Sequence, residues 1–391
     1  MRVNPEILEW ARSTAGLSPE QAAKALGFKP TRSRTALERL EAIEGGKEDI
    51  SRSVLLKMAK AYHRPLLVFY LNAPPPIGDR GQDFRSVPGA PPPLYNPTVD
   101  ALIRDIRARQ AIVHDVAQES ETPPLDFIGT ATMTVPARDL AARVTERLNF
   151  SLQEFRNQRT ANEAFTYLRS KIEEAGIYVL LLGNLGSHHT NIPVETFRGF
   201  AVADPVAPFI VINDQDARTA WSFTALHEVT HLWLGATGIS GASADTQIEQ
   251  YCNDVAGEIL LPGADIRTLR DVRAMVLRDA ISTIAAFADH RNISRDMVAY
   301  KLLRFNLIPE RTWQALAAHY REERQLLRER HSEVEREGGP NYYVVRRHRL
   351  GDALLDFVRR ALGEGAISHT KAGQVLGVKP RNVDFLLQVG R

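Results

Sequence analysis

Between residues 98 and 337, apolar positions at helical spacing give way to short continuous runs, IYVLLL (177–182) and FIVIN (209–213), with FRGFAVA (197–203) between them. Runs this short, rich in Val, Ile and Phe, predict three strands. Either FRGFAVA or FIVIN lines a cleft as an edge to which an extended substrate adds as a further strand, or both are interior to the sheet. The strands lead into TALHEVTHLWLG, whose apolar residues predict a buried helix ending near Gly235. A second helix follows from about Asp245 to Leu261, stopped by Pro262. No repeat of solenoid type is present.

Breaks in this pattern set the domain boundaries. Eight of the 22 prolines fall in PPPIGDRGQDFRSVPGAPPPLYNP, residues 74–97, where proline excludes helix and favours an extended linker. A second break lies at Gly338, Gly339 and Pro340, after a charged helical run from Arg311 to Glu337. The expected organisation is a helical domain over 1–73, a linker over 74–97, a central domain with a helical extension over 98–337, and a helical C-terminal domain over 338–391.

Both ends carry helix-turn-helix signals. In GLSPEQAAKALGF, Ser18 followed by Gln21 predicts a capped helix with Ala22, Ala23 and Leu26 inward and a turn at Gly27. The next helix, opening in KPTRSRTALERL, places Lys29, Arg32, Ser33 and Arg34 where helix N-terminal side chains meet base edges or phosphate. Residues 1–72 hold 12 Lys/Arg against 8 Asp/Glu, an excess that permits contact with double-stranded DNA without demanding it. Glu38, Glu41 and Glu44 on the same helix would repel phosphate, so protein docking stands as the other reading. ISHTKAGQVLGVKPRNVDFLL repeats the logic with Thr370, Gly377, Lys379 and Arg381; it is short and weakly basic, and a helical cap or partner surface is the alternative.

Composition narrows the setting. No run of 18 apolar residues and no secretory leader are present, which predicts a cytoplasmic protein without a membrane partner. A single cysteine, Cys252, excludes an internal disulfide framework, so a metal site must draw on histidines and carboxylates. The net charge of +2 argues against a protein basic over its whole surface.

HEVTH, residues 227–231, puts two imidazoles four apart, one turn along a single helix face, close enough to share an ion. Zinc at such a site lowers the pKa of a coordinated water to ~7, and Glu228 is placed to take its proton and pass it to a leaving amine. The pattern points to peptide hydrolysis. Two imidazoles leave the site short of one protein ligand, and DTQIEQYCNDVAGEILLP offers Glu249, with Asn253 one turn on to orient an imidazole. Glu258 competes, but nine residues at ~100° each set it on the face opposite Glu249; Asp245 and Asp254 are further alternatives. Manganese is an alternative to zinc, since two histidines and a carboxylate accept several divalent ions. Cys252 reads as a small buried filler or else a reactive thiol or ligand. His188 and His189 read as solvated loop residues or as groups that meet substrate, and Tyr251 is not assigned an oxyanion-stabilising role.

Taken together, these motifs resemble the ImmA/IrrE family of zinc metallopeptidases in the long form that begins with an XRE-type helix-turn-helix domain. GLSPEQAAKALGF and LLKMAKAYHRPLLVFYL resemble the XRE portion, DFRS the post-linker signature, and FRGFAVAD, FIVIN and FTALHEVTHLWL the catalytic core. IEQYCNDVAGEILLP resembles the family's Glu-x-x-Ala-Asn helix, with Cys252 where alanine is usual and Gly257 where alanine is common. The resemblance implies a gluzincin-like site with His227, His231 and Glu249 as zinc ligands and Glu228 as base. It also implies a substrate, a helix-turn-helix repressor whose cleavage relieves transcription of stress-response or mobile-element genes. The expected fold class is α+β, with an all-helical helix-turn-helix N-terminal domain, a zincin-like core holding a small sheet and the HExxH helix, and a helical C-terminal region. A DNA-binding regulator or antitoxin-like protein with a structural or vestigial metal site is the alternative.

Overall fold

The computed structural model describes residues 3–31, 34–75, 96–186, 190–236, 238–240, 247–334 and 341–388. Most of the proline-rich stretch with DFRS, the pair His188 and His189, Asp245, and the break at Gly338, Gly339 and Pro340 lie outside them. The chain divides into two compact units, one holding the described residues of 1–80, 92–105 and 184–191, the other those of 106–183 and 192–391.

The first unit is helical: α1 (Pro5–Ser13), α2 (Pro19–Ala25), α3 (Ala36–Glu44), α4 (Arg52–Ala61) and a 3-10 turn at Leu66–Tyr70. Ser18 caps α2 as expected: its hydroxyl accepts from the Gln21 backbone N–H at 3.2 Å, and the Gln21 side-chain Oε1 accepts from the Ser18 backbone N–H at 2.9 Å. Ile7, Leu8, Leu26, Leu40, Leu55 and Tyr62 form its core. The second helix of the pair starts later than the sequence suggested. Thr35 and Glu38 form their own capping box, so α3 opens at Ala36 and Lys29 and Arg34 lie in the connection before it. Arg32 and Ser33 fall outside the described residues. Arg34 is also committed, to Glu48 at 3.2 Å.

In the second unit, α5 (Pro97–Glu119, whose first turns count with the first unit), α6 (Ala137–Arg147), α7 (Leu152–Arg156) and α8 (Ala161–Glu174) precede the sheet. Strands β1 (Tyr178–Leu181), β2 (Gly199–Val202) and β3 (Phe209–Ile212) sit inside the predicted runs, and β4 (Gly238–Ser240) was not anticipated. The order is β1-β3-β2-β4, with β1 parallel to β3 and the other pairs antiparallel. FRGFAVA and FIVIN are therefore both interior, because β4 pairs along the free side of β2, which removes either of them as the edge. Every residue of β2 and β3 is buried, consistent with continuous apolar runs rather than alternation.

Helices α9 (Arg218–Trp233) and α10 (Gln247–Leu260) pack on each other, and α9 also packs on β2, β3 and α8. After them come α11 (Gly263–Ile266), α12 (Leu277–Asp289), α13 (Arg295–Arg304) and α14 (Glu310–Val334). The C-terminal helices α15 (Tyr342–Leu350), α16 (Asp352–Gly363), α17 (His369–Leu376) and α18 (Val383–Gln388) count with this unit rather than standing apart. Packing and polar anchors explain this. α15 and α16 lie on β1, Arg349 pairs with Asp214 at 2.7 Å, and the Glu173 carboxylate on α8 accepts from the Asp352 and Ala353 N–H groups at 3.1 and 3.2 Å, capping α16. Among the described residues no helix is long and apolar enough to cross a membrane.

Candidate metal centre

Helix α9 is buried on nearly every side, with Trp221, Leu226, Val229 and Leu232 among its apolar contacts. Each such aliphatic side chain contributes ~1.5–3 kcal/mol by leaving water, which holds the helix firmly between sheet and α10. The same burial encloses three polar residues: His227 is 4 % exposed, and Glu228 and His231 are fully buried. Charge and imidazole in such a place are costly without partners.

The partners lie on α10. The Nε2 atoms of His227 and His231 are 3.0 Å apart, and the Glu249 carboxylate lies 3.2 Å from the first and 3.1 Å from the second. A tetrahedral ion with bonds of ~2.0–2.1 Å sets its ligand atoms about 3.3 Å apart, so this triangle fits one face of such an ion. On the far side of its ring, His227 Nδ1 is 2.9 Å from Asn253 Oδ1, a contact that fixes which nitrogen faces the cluster when Nδ1 carries the proton. Glu258 is turned elsewhere: its carboxylate meets Lys301 Nζ at 3.1 Å, and Asp254 meets Arg304 at 2.9 Å. Tyr251 donates its hydroxyl to the Val135 carbonyl at 2.8 Å.

Electrostatics distinguish the donors. Burial by itself raises the Glu249 carboxyl, but hydrogen bonds from His227 and His231, reinforced by their charge, pull it down to about 2. Burial opposes protonation of His227, and the Glu249 and Glu228 carboxylates outweigh it; His231 is lowered by burial and by the neighbouring His227. Cys252 is the remaining neighbour, with a sulfur within 4.8 Å of the two histidine nitrogens. Burial, then Glu249 and Glu228, push its thiol well above the ordinary range. Glu249 is the better third donor, since it is nearer and already ionised.

Two contributors escaped the sequence reading. Gly199 on β2 faces Glu228: a Cβ there would lie 2.8 Å from Glu228 Oε1 and 2.7 Å from Thr224 Cγ2. The glycine in FRGFAVA was the available signal. Lys301 on α13, 8 % exposed, donates to the Gly257 carbonyl at 2.7 Å and also to the Leu261 carbonyl, closing the last turn of α10. A cavity of about 270 Å³ opens beside the cluster, lined by Phe223, Asn253, Met297, Tyr300 and Arg304 among others.

A helix pair presenting two imidazoles and a carboxylate at coordination spacing, with a second buried carboxylate alongside, defines a metallopeptidase type of site. Residues 172–303, from the end of α8 to α13, match the family model described as the IrrE N-terminal-like domain. That segment is similar to the metallopeptidase domains of the ImmA/IrrE type. No curated protein matches the chain, and no solved structure does.

Proposed function

We propose that this chain is a zinc-dependent endopeptidase whose substrate is a helix-turn-helix transcriptional repressor, and that its cleavage derepresses stress-response or mobile-element genes. The observation carrying this reading is the 3.0–3.2 Å convergence of His227, His231 and Glu249 within helices enclosed by the sheet and core. His227, His231 and Glu249 would hold the ion, and zinc bound there would supply Lewis-acid polarisation of water and of the scissile carbonyl. Glu228 takes the proton of the attacking water and delivers it to the departing amine. Asn253 accepts from the Nδ1–H of His227 and keeps its Nε2 turned to the cluster. Burial of the whole set excludes bulk water and strengthens each of these interactions. The cavity beside Asn253 offers Phe223 and Met297 as an apolar wall for one substrate side chain. The first unit, read as an XRE-type helix-turn-helix domain, presents the substrate by protein docking, since Glu38 and Glu41 are the exposed charges along α3.

The test incubates the zinc-loaded full chain with helix-turn-helix repressors encoded beside its gene, comparing wild type, Glu228→Gln and chelated protein. Cleavage by the wild type alone is expected, with Glu228→Gln retaining its metal. Cleavage at the wild-type rate by Glu228→Gln would refute the assignment of the base.

A further inference from the structure

Residues 341–388 carry eight Lys/Arg against four Asp/Glu, and the distribution of these charges is uneven. Helix α17 and the segment Pro380–Gln388 are joined by a tight turn at Gly377, which adopts a left-handed φ of +61° that a side chain would resist. Ala372, Val375 and Leu376 of α17 are buried with Val383 and Leu386 of α18. Gly373 allows their close approach: a Cβ there would lie 2.8 Å from the Val378 carbonyl and 3.2 Å from the Pro380 nitrogen. Arg346 on α15 locks the turn, its guanidinium donating to the Leu376 carbonyl at 2.7 Å and the Gly377 carbonyl at 3.1 Å. Two short helices, a glycine turn and a small residue at the crossing are the makings of a helix-turn-helix.

With the inner faces occupied, Lys371, Gln374, Lys379, Arg381, Phe385 and Gln388 are exposed. Lys371, Lys379 and Arg381 have no ion pair among the described residues. Asp384 is the sole acid between 369 and 388, and His369 Nε2 engages it at 3.0 Å. The first unit also exposes cations, Lys24 and Lys29, but it sets acids along α3. Glu38 and Glu41 are exposed on α3, and Arg34 is held by Glu48.

We propose that α17 and Pro380–Gln388 form a second helix-turn-helix that binds duplex DNA. Lys371, Lys379 and Arg381 contact phosphates, and the Pro380–Gln388 segment enters the major groove with Phe385 and Gln388 on its outward side. The cations supply charge complementarity, and the half-exposed Phe385, its ring inclined at 58° to that of Tyr343 at a centroid distance of 4.4 Å, suits an apolar contact with a thymine methyl.

The test is fluorescence anisotropy of a labelled 30-base-pair mixed-sequence duplex titrated with the full chain between 50 and 200 mM salt. Three variants are compared with wild type: Lys371→Ala/Lys379→Ala/Arg381→Ala, the first-unit set Lys24→Ala/Lys29→Ala/Arg34→Ala, and Phe385→Ala. Wild type is expected to bind with a log–log salt slope of about −3 or steeper, because each neutralised phosphate contributes about −0.9. The C-terminal triple variant should flatten that slope by about three and weaken binding at least 10-fold at 100 mM salt, with an unchanged melting curve. The first-unit variant should bind as wild type, and Phe385→Ala should weaken binding while keeping the salt slope. Absence of wild-type binding at 50 mM salt, an unaffected C-terminal variant, or a loss carried by the first-unit variant would each overturn the proposal.

Discussion

Replacing Gly199 by alanine perturbs the site by one methyl and leaves every proposed ligand in place. The new Cβ would meet Thr224 Cγ2 at 2.7 Å, Glu228 Oε1 at 2.8 Å and the Val211 carbonyl oxygen at 3.1 Å. Ordinary contact begins near 3.4 Å, so the methyl is short of room by roughly 0.6–0.7 Å on two sides. The Val211 carbonyl belongs to β3, where Phe200 of β2 pairs with Val211, and Thr224 is a β-branched residue in a buried helix; neither yields easily. The Glu228 carboxylate is the flexible neighbour and must turn away. Overpacking of this kind costs about 1–3 kcal/mol, of which the entropy lost to glycine in the unfolded chain returns about 0.5–1. The net cost of about 0.5–2 kcal/mol should lower the melting temperature by about 1–8 °C, at ~2–4 °C per kcal/mol for a domain of this size. A base displaced by a fraction of an ångström to an ångström should lower kcat by about 10- to 100-fold with KM and metal stoichiometry little changed. Cleavage of the repressor substrate, metal analysis and a melting curve measure all three. Any residual activity of Glu228→Gln at high enzyme concentration should fall no further when Gly199→Ala is added, because both changes act on one group. A Gly199→Ala protein with wild-type kcat, or an additive loss in the double variant, would refute the reasoning.

Asn253→Ala should weaken zinc about 10- to 100-fold in competition with a chromogenic chelator, through loss of the contact to His227 Nδ1, and wild-type affinity would remove that contact from the account. Glu249→Ala should abolish stoichiometric zinc while Cys252→Ala retains it; the reverse pattern by mass spectrometry would make the sulfur the third donor. Lys301→Met should destabilise the protein by about 2–4 kcal/mol, because it strips the α10 carbonyls and Glu258 of their cation, and a melting temperature within a degree of wild type would contradict it. Zinc at about 100 times its dissociation constant should stabilise the fold by about 2.7 kcal/mol, a shift that a chelator reverses and that Glu249→Ala lacks.

The elements legible in the sequence were those with a strong local pattern. The three apolar runs contain β1, β2 and β3, HEVTH lies within a helix ending near Gly235, and Pro262 follows the end of α10. The opposed faces of α10 were legible from helical period alone, with Glu249 toward the histidines and Glu258 toward Lys301. β4 was not, since Gly-Ile-Ser carries no alternation and exists as a strand through its pairing with β2. That pairing is also why the edge reading of FRGFAVA failed. The Thr35–Glu38 capping box sets the start of α3 after the basic residues that the sequence suggested as its opening.

What remained illegible shares a cause: it depends on contact between segments distant in sequence. Gly199 and Glu228 are on different elements, and only the packing of α9 on β2 makes the missing side chain at 199 a condition for the carboxylate at 228. Lys301 lies 40 residues beyond the Leu261 carbonyl it caps. The glycine in FRGFAVA is an ambiguous signal, because a glycine in a strand ordinarily reads as weakness, and a lysine in a helix reads as solvated surface. The proposed ligands, by contrast, stand out in the sequence because an ion needs several donors of restricted type within one or two helical turns. Candidate coordinating residues are therefore visible in the sequence, whereas residues that would aim the proposed base are visible only once the sheet and the helix have met.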